Sequence, residues 1–77
     1  NDIKAFKDGI RYTIQTYLNR IITRKEIEET IIDMQDERVS CGAIISNKPV
    51  DKDVKDLAWE QGIEIIDRDD LCKLIKK

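Results

Sequence analysis

Residues 2–17 read DIKAFKDGIRYTIQTY, and this stretch decides the fold. Asp8-Gly9 lies between two segments rich in β-forming residues, and Asp-Gly in such a place is a strong signal for a two-residue hairpin turn. If these two residues are the central pair of the turn, the two segments form antiparallel strands. The register then places Asp2 directly opposite Gln15 at the open end of the hairpin.

The two faces of this hairpin differ in character, because directly opposed residues share a face. The apolar face carries Ile3, Ala5, Tyr12 and Ile14. The second, mostly polar face carries Asp2, Lys4, Phe6, Arg11, Thr13, Gln15 and Tyr17. We expect the apolar face to pack in the core.

The rest of the chain alternates between helix and strand signals. Thr23 and Glu26 fit a capping box that starts a helix, and Gly62 fits the residue that ends the second helix. Short apolar runs at residues 39–45 and 63–66 predict buried strands. The expected order is ββαβαβα, an α/β domain with a mixed four-stranded sheet. The predicted core is Ile14, Ile27, Ile31, Ala43, Ile45, Leu57, Ile65 and Leu71.

Composition excludes several classes of function. The 77 residues contain no His, which removes Ser-His-Asp and Cys-His catalysis and His-ligated zinc. Cys41 and Cys72 are too few for a disulfide framework or a four-thiolate zinc site. We interpret them as buried thiols in a reducing, cytoplasmic compartment. No apolar run is long enough to span a membrane.

The chain is expected to be one domain, residues 1–77. The hairpin at its very start also suggests a missing N-terminal segment or a homodimer.

Charge is unevenly distributed along the chain. Residues 1–25 contain six bases and two acids, whereas residues 26–77 contain eight bases and fourteen acids. A basic segment on an acidic chain suggests an anionic partner for that segment. Chance clustering on a solvated surface explains the same numbers equally well.

Asp2 and Gln15 are the pair of residues whose side chains could take part in a reaction. Two oxygen ligands on adjacent strands can hold a hard divalent ion such as Mg²⁺, and such an ion polarises a phosphodiester and activates a bound water. Two polar residues on a solvated sheet face, with no further role, are the simpler interpretation of the same pair.

The layout resembles the Mrr-like branch of the restriction-endonuclease fold, the PD-(D/E)xK superfamily. The segments that carry the resemblance are residues 2–6, 10–17, 23–32, 42–46 and 62–67, followed by Asp70-Leu71. Members of that family have an Asp strand, a strand that ends in Gln-x-Lys, and an Ile-Glu-Leu-Ile-Asp strand near the end. The resemblance implies a Mg²⁺-dependent nuclease domain that acts on DNA.

The resemblance also assigns roles to individual residues. Asp2 and Gln15 are the implied metal ligands, and the family's catalytic Lys corresponds to Tyr17, a neutral phenol at pH 7. Lys25 on the next helix is a candidate for a migrated ammonium, so the implied catalytic set is Asp2, Gln15 and Lys25. The expected DNA-binding residues are Lys4, Arg11, Arg24 and Lys25, the last two at a helix start whose N–H groups favour a phosphate. With Tyr17 in place of Lys, we expect a weak or inactive nuclease.

A non-catalytic assembly module and a BRCT-like protein-interaction domain are the alternatives. Residues 23–74 loosely fit the BRCT pattern, although Met34-Gln35-Asp36 stand where that pattern has paired glycines. The direction of the first strand discriminates the restriction-endonuclease fold from the BRCT-like fold. The former requires an antiparallel hairpin over residues 2–17, whereas a BRCT-like domain has an all-parallel sheet. Trp59 is expected to pack as a helix residue rather than to stack on a base.

Overall fold

The computed structural model describes the backbone of residues 2–7 and 10–75 and the side chains of residues 10–73. The helices and strands follow the predicted order. They are β1 (Asp2–Lys7), β2 (Ile10–Tyr17), α1 (Arg24–Glu37), β3 (Cys41–Ser46), α2 (Lys52–Glu60), β4 (Ile63–Ile66) and α3 (Arg68–Ile75). The predicted α/β class is confirmed. No helix in the described part of the chain is long and apolar enough to cross a membrane.

Strands β2, β3 and β4 pair in parallel, with β3 in the middle. Strand β1 pairs with β2 in the antiparallel direction, and Asp2 is the partner of Gln15. This is the register that the hairpin signal predicts, although the Asp8-Gly9 turn itself lies outside the described residues. The direction of β1 differs from the all-parallel sheet that the BRCT-like alternative requires.

The helix ends follow local sequence signals. Thr23 caps α1, its side chain accepts from the Lys25 N–H, and the Glu26 carboxylate accepts from the Thr23 N–H, so the predicted capping box is confirmed. Gly62 follows the C-cap of α2 at a φ of +79°. A Cβ at Gly62 would lie 2.8 Å from the Ser40 carbonyl oxygen, so both the backbone angle and the space require glycine.

Helices α1 and α2 cover the same face of the sheet. This is expected of consecutive right-handed crossovers between parallel strands that follow one another in one direction across the sheet. The core between the helices and the sheet consists of Ile22, Ile27, Met34, Ile44, Ala58, Ile63 and Ile65. Of the predicted core, Ile27 and Ile65 are therefore confirmed, and Ile31, Leu57 and Leu71 are half-buried.

The prediction of which face of β2 and β3 is buried was wrong. Thr13 and Gln15, which were assigned to the polar face, are only 1% and 7% exposed. Ile14, Ala43 and Ile45, which were assigned to the core, are half-buried on the opposite side of the sheet. The residues of β3 on the helix-covered face are Gly42, Ile44 and Ser46.

The reason for this reversal is the packing of α1 on Gly42. A Cβ at Gly42 would lie 2.9 Å from the Met34 sulfur, so the missing side chain makes room for that methionine. The parallel register pairs Thr13 with Gly42 and Gln15 with Ile44. The polar residues of β2 must therefore lie on the face that the helices cover.

Two smaller expectations also need correction. Trp59 is 72% exposed and does not pack as a helix residue. Cys41 is half-buried and Cys72 is exposed, so they are not the buried pair of thiols that we expected.

Candidate functional site

The candidate site lies where the end of β2 passes under α1. Gln15 and Tyr17 are two residues apart on the strand and therefore point to the same face. The buried Gln15 amide donates a hydrogen bond from Nε2 to the Asp33 carboxylate on α1. Asp33 was not among the residues expected at this site, although Ile27 and Met34, which are buried on α1, place residue 33 beside that face.

An open cavity of about 360 Å³ adjoins this pair. Its lining residues are Gln15, Tyr17, Glu29, Ile32 and Asp33. Glu29 and Asp33 are one helical turn apart, so both carboxylates lie on the same side of α1. Two acidic groups near Gln15 thus come from the helix that follows β2.

Tyr17 is the residue that the family resemblance assigns to the position of the catalytic Lys. Burial raises the pKa of its hydroxyl above the ordinary value, and the nearby Glu29 carboxylate raises that pKa further. The Thr30 hydroxyl and the Arg20 guanidinium act in the opposite direction but do not outweigh these effects. The Tyr17 side chain is therefore a neutral phenol at pH 7.

Arg20 brings a positive charge to this position. Its guanidinium carbon lies 5.1 Å from the centroid of the Tyr17 ring, a cation–π distance. Its Nη2 lies 3.0 Å from the carboxylate of Glu26, which is nearly inaccessible. Arg20 is a cation that sequence reasoning did not single out, because it belongs to the irregular segment between β2 and α1, where no periodic pattern fixes side-chain direction.

The predicted site residues are only partly brought together. Asp2 lies opposite Gln15 through the backbone register, while its side chain, like that of Lys4, lies outside the described residues. Lys25 is exposed and does not line the cavity. It precedes Asp33 by eight residues, about 12 Å of helix rise. Arg11 is exposed four residues before Gln15, about 13 Å along the strand.

The start of α1 is less open to a phosphate than we expected. Lys25 N–H is bonded to the Thr23 hydroxyl oxygen, and the Glu26 carboxylate accepts from both the Thr23 N–H and its hydroxyl. The Glu26 pKa is lowered: burial opposes the shift, but these bonds and Arg20 outweigh it. A resident carboxylate thus occupies the first turn of α1.

The donors around Gln15 suit a hard cation. They are carboxylate and amide oxygens, which Mg²⁺ and Mn²⁺ prefer over sulfur or nitrogen. No group of three or more His, Cys, Asp or Glu residues poised to hold a metal occurs in the part of the chain that the structure describes.

The acidic cluster at the start of α3 has a structural role. Asp67 accepts from the N–H groups of Val50 and Asp70 at 2.9 and 3.0 Å, and Asp70 accepts from the Asp67 N–H at 3.1 Å. Lys55 Nζ lies 3.1 Å from Asp67 and 3.0 Å from Asp70. The Asp67 and Asp70 carboxylates therefore cap the start of α3 and bind the Lys55 ammonium.

Strands β2, β3 and β4 form a parallel sheet, and an open cavity lined by oxygen-bearing side chains adjoins the end of β2. Residues 2–75 match the family model described as a restriction endonuclease, the Mrr catalytic domain. The chain belongs to the Mrr-type restriction endonuclease family. Restriction endonucleases act on DNA and generally use divalent metal ions. A search of curated proteins finds no match.

Proposed function

We propose that this chain binds DNA through its basic segment and is a weak, Mg²⁺-dependent phosphodiesterase at the Gln15 site. The observation that carries the proposal is the neutral phenol of Tyr17 at the position of the catalytic Lys. A phenol whose pKa is raised neither accepts a proton from water at pH 7 nor supplies positive charge to a phosphate.

Asp2 and Gln15 are the residues that would hold the metal. A bound divalent ion would polarise the phosphodiester and make an attacking water more acidic. Tyr17 lines the cavity beside Gln15. The Arg20 guanidinium is paired with Glu26 and lies over the Tyr17 ring, and Arg20 does not line the cavity.

The DNA-binding surface that we propose combines the start of α1 with the segment before it. Arg20, Arg24 and Lys25 are exposed there, and the expected partners from the hairpin are Lys4 and Arg11. Residues 1–25 contain six bases and two acids, so the sign of the charge favours this segment for a polyanion, while the carboxylates of α1 beyond Lys25 oppose it.

The test is nicking of supercoiled plasmid in Mg²⁺ or Mn²⁺. We expect slow nicking by the wild type that Asp2→Ala removes. Tyr17→Lys should raise the rate by on the order of 10²-fold, the usual effect of one positioned charge. Tyr12→Lys makes the same change on the opposite face of β2 and should leave the rate unchanged.

Two results would contradict the proposal. Robust wild-type nicking that Asp2→Ala abolishes would show a complete catalytic site, and absence of DNA binding at about 50 mM salt would remove the DNA-binding part. DNA binding without nicking in any variant, including Tyr17→Lys, would leave a non-catalytic DNA-binding module.

A further inference from the structure

The hydrogen bond between Gln15 and Asp33 has a fixed direction. An ionised carboxylate only accepts hydrogen bonds, so the amide must present its Nε2 to Asp33. The two residues are 18 apart in the chain and belong to different elements. The bond therefore determines which way the amide group of a buried strand residue is turned.

The surrounding structure holds Asp33 in place for this contact. The capping box fixes where α1 begins, and the buried Ile27, Thr30 and Met34 fix its rotation on the sheet. Asp33 is half-buried beside Gln15, which is 7% exposed. Both side chains also line the open cavity, so their contact lies at its wall.

We propose that Asp33 is a positioning residue that turns the Gln15 amide so that Oε1 is its metal-binding atom. The proposal rests on the proposed function in so far as it assigns Gln15 to a metal. Only the oxygen of a glutamine side chain binds a hard cation. A carboxylate that holds the nitrogen therefore selects the orientation that is competent for binding.

The same contact explains why an amide rather than a carboxylate stands at residue 15. Gln15→Glu would place two carboxylates in hydrogen-bond contact at a buried position, and like charges this close cannot both ionise without a large cost. Asp33 thus favours glutamine at this ligand position, and a glutamate there would require a change on α1.

The first experiment measures thermal melting from pH 4 to pH 8 for Gln15→Glu, Asp33→Asn and the double variant. We expect Gln15→Glu to melt at least about 5 °C below the wild type at pH 7. This deficit should shrink toward pH 4, where the pair retains a proton. Adding Asp33→Asn should restore the melting temperature at pH 7, because the amide and the carboxylate have exchanged places.

Glu29→Gln provides the matched control. It removes one negative charge from the same cavity wall, one turn away on α1, without replacing the partner of Gln15. If Glu29→Gln restores the melting temperature of Gln15→Glu to the same extent as Asp33→Asn does, the effect is one of general electrostatics. The positioning role of Asp33 is then wrong. A Gln15→Glu variant as stable as the wild type at pH 7 would also overturn it.

The second experiment measures Mn²⁺ affinity by calorimetry. Asp33→Asn should weaken binding by on the order of 10–100-fold, as for other residues that orient a metal ligand, while the melting temperature stays near that of the wild type. Unchanged affinity in Asp33→Asn overturns the positioning role. If the wild type binds no Mn²⁺ but the pH-dependent rescue holds, the metal assignment of the proposed function fails and the orientation of the amide by Asp33 stands.

Discussion

Asp67→Asn tests whether a single buried carboxylate ties α2, β4 and α3 together. Asp67 is 1% exposed. Burial alone would raise its pKa, but the N–H groups of Val50 and Asp70 and the Lys55 ammonium outweigh that effect and lower the pKa to about 2. The substitution removes the charge while it preserves the size of the side chain.

The magnitude follows from the pKa shift. A fall from 3.8 to about 2 corresponds to about 2 kcal/mol of stability. Since the folded-state pKa lies below the unfolded value, this stabilisation is fully present above about pH 4 and is lost as the pH falls toward 2. We therefore expect Asp67→Asn to lower the free energy of unfolding by about 2 kcal/mol at pH 7 and to lose much less at pH 2.

Urea denaturation at pH 7 and at acidic pH, followed by circular dichroism, measures both quantities. Asp69→Asn is the matched control, because Asp69 is exposed in the same turn and its ion pair with Arg68 is 3.8 Å long. Exposed pairs contribute about 0–1 kcal/mol. If Asp67→Asn costs no more than Asp69→Asn at pH 7, or shows the same dependence on pH as the wild type, the Asp67 carboxylate does not hold these elements together.

Three further predictions concern the core, DNA binding and a buried hydroxyl. Ile27→Ala should lower the free energy of unfolding by about 2–5 kcal/mol in urea denaturation. Ile32→Ala, at a residue 56% exposed, should lower it far less. Equal losses would mean that α1 presents a different face to the sheet. Arg24→Glu should weaken DNA binding and reduce by about 0.9 the slope of the logarithm of the binding constant against the logarithm of the salt concentration. Lys52→Glu at the start of α2 should change neither the affinity nor the slope. Equal effects of the two substitutions would contradict a localised DNA-binding surface. Thr13→Val should stabilise the fold by about 1 kcal/mol, because the Thr13 hydroxyl is buried with no hydrogen-bond partner among the described residues. A loss of stability in Thr13→Val would indicate that the hydroxyl has a partner.

The features that the sequence predicted are mostly local. The capping box of Thr23 and Glu26 and the glycine at residue 62 depend on neighbours within a few residues, so their signals survive in any tertiary context. The register of β1 and β2 also follows from a short-range signal, the Asp-Gly turn. These features led to the correct order of elements and to the pairing of Asp2 with Gln15.

The features that failed depend on contacts between distant segments. Strand β3 is apolar on both sides, so its alternation does not indicate which face the helices cover, and the decisive residue is Gly42, whose lack of a side chain admits Met34. Residue type then misled the assignment of β2, because Thr13 and Gln15 are polar and nonetheless buried. Asp33 was missed for the same reason: its role exists only once α1 is placed on that face.

Trp59 has a consequence for how this protein is observed in solution. It is the single tryptophan of the chain, and its indole is 72% exposed in the folded state. Its emission will therefore change little when the protein unfolds, and the tryptophan signal will not follow the core. The same indole lines an open cavity of about 320 Å³ together with Tyr12 and Glu64, near the starts of β3 and β4. Tryptophan fluorescence in this chain is consequently a local probe of whatever approaches the end of α2, while its folding is recorded by the backbone signal of the helices.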